Sequence, residues 1–157
     1  VRSSENIQGV VWTKTLVNCG INPVGALTGL TNGEVYENRQ LRGLVVRLVE
    51  EATRIVEMLG IELTTDDPVR YALGTAKATG DNVNSMLQDL QARKKTEIDA
   101  ITGEIIRLGK ELGIDTPSNE SVYALVKAIE SRYLTSEERS EEPPMPVEDL
   151  VKAVTTS

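Results

Sequence analysis

The sequence predicts an all-α fold. Two observations carry this: apolar residues recur at three- and four-residue spacing along almost the whole chain, and alternating runs bounded by turn residues are missing. Phe is absent and aromatic residues make up only 3% of the chain, so the core must be built from Leu, Ile, Val and Ala. The 157 residues suffice for one compact domain and are too few for two comfortable ones.

The elements follow in order. Ser4 reads as the N-cap of a helix from about Glu5 to Cys19, with Gly20 ending it. Asn22 then caps a short helix that has Pro23 at its first position, and Asn32-Gly33 reads as a turn. A long helix from about Glu37 to Leu59 carries the stripe Leu41, Leu44, Val45, Leu48, Ala52, Ile55, Val56 and Leu59, with Gly60 as its stop, and is expected to be the central core helix. Asp66 or Asp67 with Pro68 starts a helix to about Thr79, and Ser85 with Gln88 forms a capping-box pattern for one through the Gln91 region. Ile98, Ile101, Ile105, Leu108 and Leu112 share one helical face that ends at Gly113. Asn119 opens a last helix through Val122, Leu125, Val126 and Ile129. The domain is expected to cover 1–134. The acidic, proline-containing remainder, 135–157, is expected to be a mobile tail with one weak helical turn at Val147 to Val154.

Composition narrows the functions. A formal charge of −7 repels phosphate backbones and anionic headgroups, so neither nucleic acid nor a membrane surface is an expected partner. No apolar run approaches the roughly 20 residues of a membrane helix. The single cysteine, Cys19, fits a reducing cytoplasm. Histidine is absent, which removes His-based metal sites and His-activated nucleophiles; no metal is expected, and proton chemistry falls to Lys, Glu, Asp, Tyr or Cys. The chain opens on Val1 in a stretch already leading into a helix, as expected for a piece of a longer chain.

On a wheel at about 100° per residue, Ile7, Val10, Val11, Val17 and Ile21 share one arc of the first helix, and Lys14 and Asn18 fall inside it. Two roles for Lys14 stand side by side. Either its stem packs on the valines while the ammonium reaches water, or it is a cationic proton donor facing a pocket, with Asn18 one turn along serving the same ligand. Glu97, near the start of its helix, is either a solvated first-turn carboxylate or the counter-charge of a buried Lys14. Gly25, Gly29 and Gly33, four residues apart, fit close helix approach; no Gly-x-Gly-x-x-Gly nucleotide cradle exists in the chain.

The strings Lys14-Thr-Leu-Val-Asn18-Cys-Gly-Ile-Asn22-Pro23, Thr31-Asn32-Gly33-Glu34, Asn82-Val-Asn-Ser85-Met-Leu-Gln-Asp-Leu90 and Lys95-Thr-Glu97-Ile-Asp-Ala-Ile101 closely resemble the C-terminal domain of ketopantoate reductase (2-dehydropantoate 2-reductase). Gly113-Ile-Asp-Thr-Pro117 and Asn119-Glu-Ser-Val-Tyr123 extend the resemblance, which reaches to about Arg132. It implies a helical domain similar to the C-terminal domain of 6-phosphogluconate dehydrogenase. An N-terminal Rossmann domain, absent from this chain, would hold NADPH, with 2-dehydropantoate or pantoate in the cleft between. Carried over by the resemblance, Lys14 is the proton donor and Asn18 and Asn22 bind the hydroxyl and ketone region of the substrate. Ser85 binds its carboxylate, Asn32 and Asn82 are further polar positions around it, and Glu97 serves the cofactor. Asn84 departs from the pattern, where a second serine is common. Two alternatives stay open: a related reductase acting on another 2-oxo acid, and a non-catalytic helical interaction module. A homodimer formed through exposed apolar surface is also compatible with the chain.

Overall fold

The structure, a computed structural model, describes residues 6–140, and they contain no strand. The elements are α1 (Ile7–Thr28), α2 (Asn32–Glu37), α3 (Arg39–Met58), α4 (Pro68–Ala78), α5 (Ser85–Gln91), a π-helical turn (Asp99–Gly103) running into α6 (Glu104–Leu112), α7 (Pro117–Glu130) and a short α8 (Ser136–Ser140). The expected cap Ser4, and the tail with its turn at Val147 to Val154, lie outside the described residues.

α1 is one helix where the sequence predicts two. It starts behind Asn6, whose side chain accepts the Gly9 N–H, and runs through Gly20 and Pro23 to Gly29, where φ of +74° closes it. Pro23 lacks the N–H that would bond the Cys19 carbonyl, a defect that normally breaks a helix. Here every residue from Cys19 to Ala26 is buried, so packing on all sides holds the turn that the local sequence disfavours. Gly20 is not a stop: a Cβ there would lie 2.6 Å from the Val49 side chain, so its role is the close approach of α3. Asn22 is accordingly a buried mid-helix residue and not a cap.

α1, and not the long helix after it, is the axis of the fold. Its Val17, Ile21 and Val24 form one cluster with Val35, Val45, Leu48, Val49, Ala72, Ala76 and Val122. Leu16 and Cys19 form a second with Ala52, Ile55, Val56, Ile101 and Ile105, and Ala26 a third with Met86, Leu87, Ile98 and Val126. Burial pushes the Cys19 thiol far up from its ordinary range, leaving it an inert part of the core.

The expected helix from Glu37 to Leu59 is broken at Asn38, which ends α2 and caps α3 by accepting the Leu41 N–H. Asn32 and Gly33, expected as a turn, are the first residues of α2 behind a capping box. The Thr31 hydroxyl accepts the Glu34 N–H and the Glu34 carboxylate accepts the Thr31 N–H. The Thr31 hydrogen bonds hold the Glu34 carboxyl below its ordinary value.

Asp67 caps α4 with Pro68 at its first position, as expected. α5 spans the expected residues, but its cap is Asn84, which accepts the Leu87 N–H at 2.9 Å; Ser85 is the first helical residue. α7 begins at Pro117, two residues before the expected Asn119, and no side chain of its own caps it. Instead the buried Glu51 carboxylate of α3 accepts from the Ser118 N–H, the Asn119 N–H and the Asn119 amide at 2.8 to 3.0 Å.

Candidate functional site

The first two turns of α1 lie against the segment Glu62–Thr64. Gly9 leaves no room for a Cβ beside the Glu62 carbonyl, and the Thr13 hydroxyl donates to the Gly9 carbonyl while accepting from the Thr64 N–H and hydroxyl. These small residues, Gly9 and Thr13, form the seat. The arc carrying Ile7, Val10 and Val11 therefore turns outward, each at least 49% exposed, while Val17 and Ile21 on the same arc are buried.

Lys14 sits on the exposed part of that arc and forms no ion pair among the described residues. The buried Lys14 weighed from the helical wheel, with Glu97 as counter-charge, is not what the fold builds. The wheel treats the arc as one environment, whereas α1 changes from surface to core along its length.

Lys14, Asn18 and Asn22 lie four residues apart and form one row on α1. Asn18 is half-buried and Asn22 is 8% exposed, yet neither side chain makes a hydrogen bond within the described residues. The same spacing continues to Ala26, which packs with Met86 and Leu87 of α5 and with Ile98. Ser85 precedes Met86 and Glu97 precedes Ile98, so both stand beside residues packed at the end of the row. Both are exposed, and neither side chain has a protein partner among the described residues. Asn84 packs its amide against Gly25, where a Cβ would lie 2.2 Å from Nδ2. The departure at Asn84 is thus a buried cap of α5 packed against α1.

Asn32 and Asn82 meet through the backbone: the Asn32 N–H donates to the Asn82 carbonyl and the Gly33 N–H to the Gly80 carbonyl. The Asn32 amide donates to the Thr79 hydroxyl and its Oδ1 is buried without a partner, whereas Asn82 is exposed. Lys14, Asn18 and Asn22 thus share one line of α1, and Ser85 and Glu97 each precede a residue that packs with Ala26 at its end. Asn32 and Asn82 lie together on the neighbouring α2 and loop.

Two buried carboxylates escape the sequence reading. Glu51 is 5% exposed and Glu130 is 1% exposed. Helical spacing carries the signal for both, since Glu51 follows Leu48 by three residues and Glu130 follows Val126 by four, each within the arc of its apolar stripe. A concavity of 420 Å³ lies elsewhere, on α4, lined by Thr65, Asp67, Arg70, Tyr71, Gly74, Thr75 and Ala78, and it contains none of the candidate residues. Among the described residues no group of three or more His, Cys, Asp or Glu is placed to hold a metal ion, and no helix is long and apolar enough to cross a membrane.

Residues 6–130, which include every candidate residue, match the family model of the ketopantoate reductase PanE/ApbA C terminal. The 2-dehydropantoate 2-reductase of Pyrococcus horikoshii is 41% identical over 128 residues, covering 82% of this chain and 42% of that protein. That of Yersinia pestis is 37% identical, covering 82% and 41%. Among solved structures, a PanE/ApbA family ketopantoate reductase from Ralstonia eutropha superposes with a TM-score of 0.76 at 32% identity, covering 82% of this chain and 43% of that one. D-mandelate dehydrogenase, solved with NADH and anilino(oxo)acetate, gives 0.73 at 27% identity, covering 82% and 42%. A dimeric ketopantoate reductase from Staphylococcus aureus gives 0.74 at 28% identity, covering 82% and 45%. The chain spans less than half the length of each of these relatives. On the family match and these identities, the chain belongs to the ketopantoate reductase C-terminal domain family.

Proposed function

We propose that this chain is the substrate-binding, proton-donating half of a cytoplasmic, NADPH-dependent reductase that converts 2-dehydropantoate to (R)-pantoate. The observation that carries this reading is the row Lys14, Asn18 and Asn22: polar groups left without protein partners in a line whose continuation, Ala26, packs on Met86 and Ile98, the neighbours of the equally unpartnered Ser85 and Glu97. Hydrogen-bonding groups that a fold leaves unused at a half-buried position are available to a ligand.

In this reading residues 1–134 form the helical domain and 135–157 a tail, and an N-terminal Rossmann domain supplies the facing wall of the cleft. Lys14 directs its ammonium at the ketone oxygen and gives it a proton as negative charge develops there, an interaction stronger in the transition state than in the ground state. Asn18 and Asn22 donate to the hydroxyl and ketone oxygens and orient the carbonyl. Ser85 donates to the carboxylate. Asn82 completes the polar lining, and Asn32, committed to Thr79, holds the Asn82 loop in register. The exposed Glu97 carboxylate suits the hydroxyl or carboxamide hydrogens of a nicotinamide nucleotide, while the lack of a glycine-rich cradle leaves the phosphates to the other domain. Hydride delivered to the carbonyl carbon is the chemistry NADPH supplies when bound. The protein pairs into a homodimer, a reading supported by the dimeric relative.

In the full-length reductase, Lys14→Ala is expected to lower kcat by about 10²–10⁴-fold. Circular dichroism and Tm should stay close to those of the parent, because Lys14 is exposed. Undiminished turnover in this variant refutes the assignment. A second reading, a reductase of another 2-oxo acid, is favoured by the structural likeness to D-mandelate dehydrogenase. Comparison of kcat/KM for 2-dehydropantoate and an aryl 2-oxo acid decides between them.

A further inference from the structure

The segment that carries Glu97 is clamped at three places by α7 and the turn that follows it. The Tyr133 hydroxyl donates to the Lys94 carbonyl at 2.7 Å. The Thr96 N–H donates to Glu130 Oε2 at 2.7 Å. Asp99 receives the Tyr123 hydroxyl on one oxygen and Lys127 Nζ at 3.0 Å on the other. Glu130 is 1% exposed and its second oxygen makes no hydrogen bond, its nearest cation being Lys127 at 3.7 Å. Thr96 uses its hydroxyl to accept the Ile98 N–H, so the residues on both sides of Glu97 are locked while Glu97 itself stays exposed.

Burying a carboxylate with one oxygen unbonded is costly, and a capping interaction at Thr96 alone would be met more cheaply by a local side chain. What Glu130 adds is reach: it ties the backbone beside Glu97 to the far end of α7. We propose that Glu130 is a positioning residue, fixing the Thr96 backbone so that the Glu97 carboxylate is held at the nicotinamide nucleotide. The proposal rests on the reading of Glu97 as a cofactor contact. The chemical requirement is an acceptor at that point, so Gln serves in place of Glu and an aliphatic side chain does not.

The test is steady-state kinetics of the full-length reductase, with the Kd for NADPH from fluorescence titration as a readout independent of turnover and expected to move with KM, for Glu97→Ala, Glu130→Leu, Glu130→Gln and the double variant Glu97→Ala/Glu130→Leu. Loss of one oriented contact is expected to raise KM for NADPH about tenfold in Glu97→Ala and in Glu130→Leu, with kcat changed less than about threefold. Glu130→Gln should restore KM to within about twofold of the parent, and the double variant should be no worse than Glu97→Ala alone. If Glu130→Leu does not fold, Glu130→Asp, which draws the carboxylate back by about 1.5 Å, takes its place with the same KM rise expected. An unchanged KM in Glu97→Ala overturns the cofactor reading and the proposal with it. A raised KM in Glu97→Ala beside an unchanged KM in Glu130→Leu, or additive effects in the double variant, overturns the positioning role alone.

Discussion

Glu51 shows what a single buried side chain does for this fold. The first N–H groups of a helix have no intrahelical acceptor, and α7 begins with Pro117 behind a Thr116 that makes no side-chain cap. Two of those donors, with the Asn119 amide, converge on Glu51, and the same amide also donates to the Leu48 carbonyl at 3.2 Å. The carboxylate sits where the helix dipole favours negative charge. Glu51→Leu fills the space but leaves three buried or half-buried donors unpaired, and is expected to cost about 3 kcal/mol of stability. A urea denaturation midpoint close to the parent's would show that the donors find other partners. Lys14 illustrates the converse. Its place on an apolar arc was legible in the sequence, but whether that arc faces the core or the outside was not. That was settled by Gly9 and Thr13, which seat the helix on the Glu62–Thr64 segment from the opposite side.

At the scale of elements, local signals worked where a helix end is determined locally. Asp67-Pro68, Gly60 and Gly113 mark boundaries as expected, since capping and left-handed closure depend on a few neighbouring residues. At Asn32-Gly33 the turn reading passes over the Thr31-x-x-Glu34 capping box, which starts α2 there instead. The same signals misled inside α1, because Gly20 and Pro23 serve tertiary packing there and not termination. The cap of α5 sets a structural polar group, Asn84, beside one proposed to serve the ligand, Ser85. Asn84→Ala removes the bond to the Leu87 N–H and is expected to lower stability by about 1 kcal/mol. Ser85→Ala should leave stability within about 0.5 kcal/mol of the parent while raising KM for the 2-oxo acid. Thermal unfolding of the two variants separates the roles, and equal destabilisation would count against them.

At the scale of the molecule, the row of candidate groups runs along α1 from the exposed Lys14, next to the exposed Ile7, Val10 and Val11, down to the buried Asn22, with no second wall facing Lys14 among the described residues. A site with one wall cannot exclude water or surround a ligand, and each polar contact made there competes with solvent. The chain alone is therefore expected to bind pantoate with Kd of about 1 mM or weaker in titration calorimetry without nucleotide. Micromolar binding would mean that this domain carries a complete pocket.

The sequence by itself determined the all-α class, most helix boundaries, the identity of the candidate residues and, through its ordered strings, the family. These depend on spacing, caps and residue types that are local along the chain. Only the tertiary structure decided that α1 runs unbroken through Pro23 as the axis of the fold and that Lys14 faces outward. It also decided that Asn84, not Ser85, is the cap, and that Glu51 and Glu130 bind backbone donors far away in sequence. Each of these follows from what packs against a residue across tens of positions, which periodicity cannot specify.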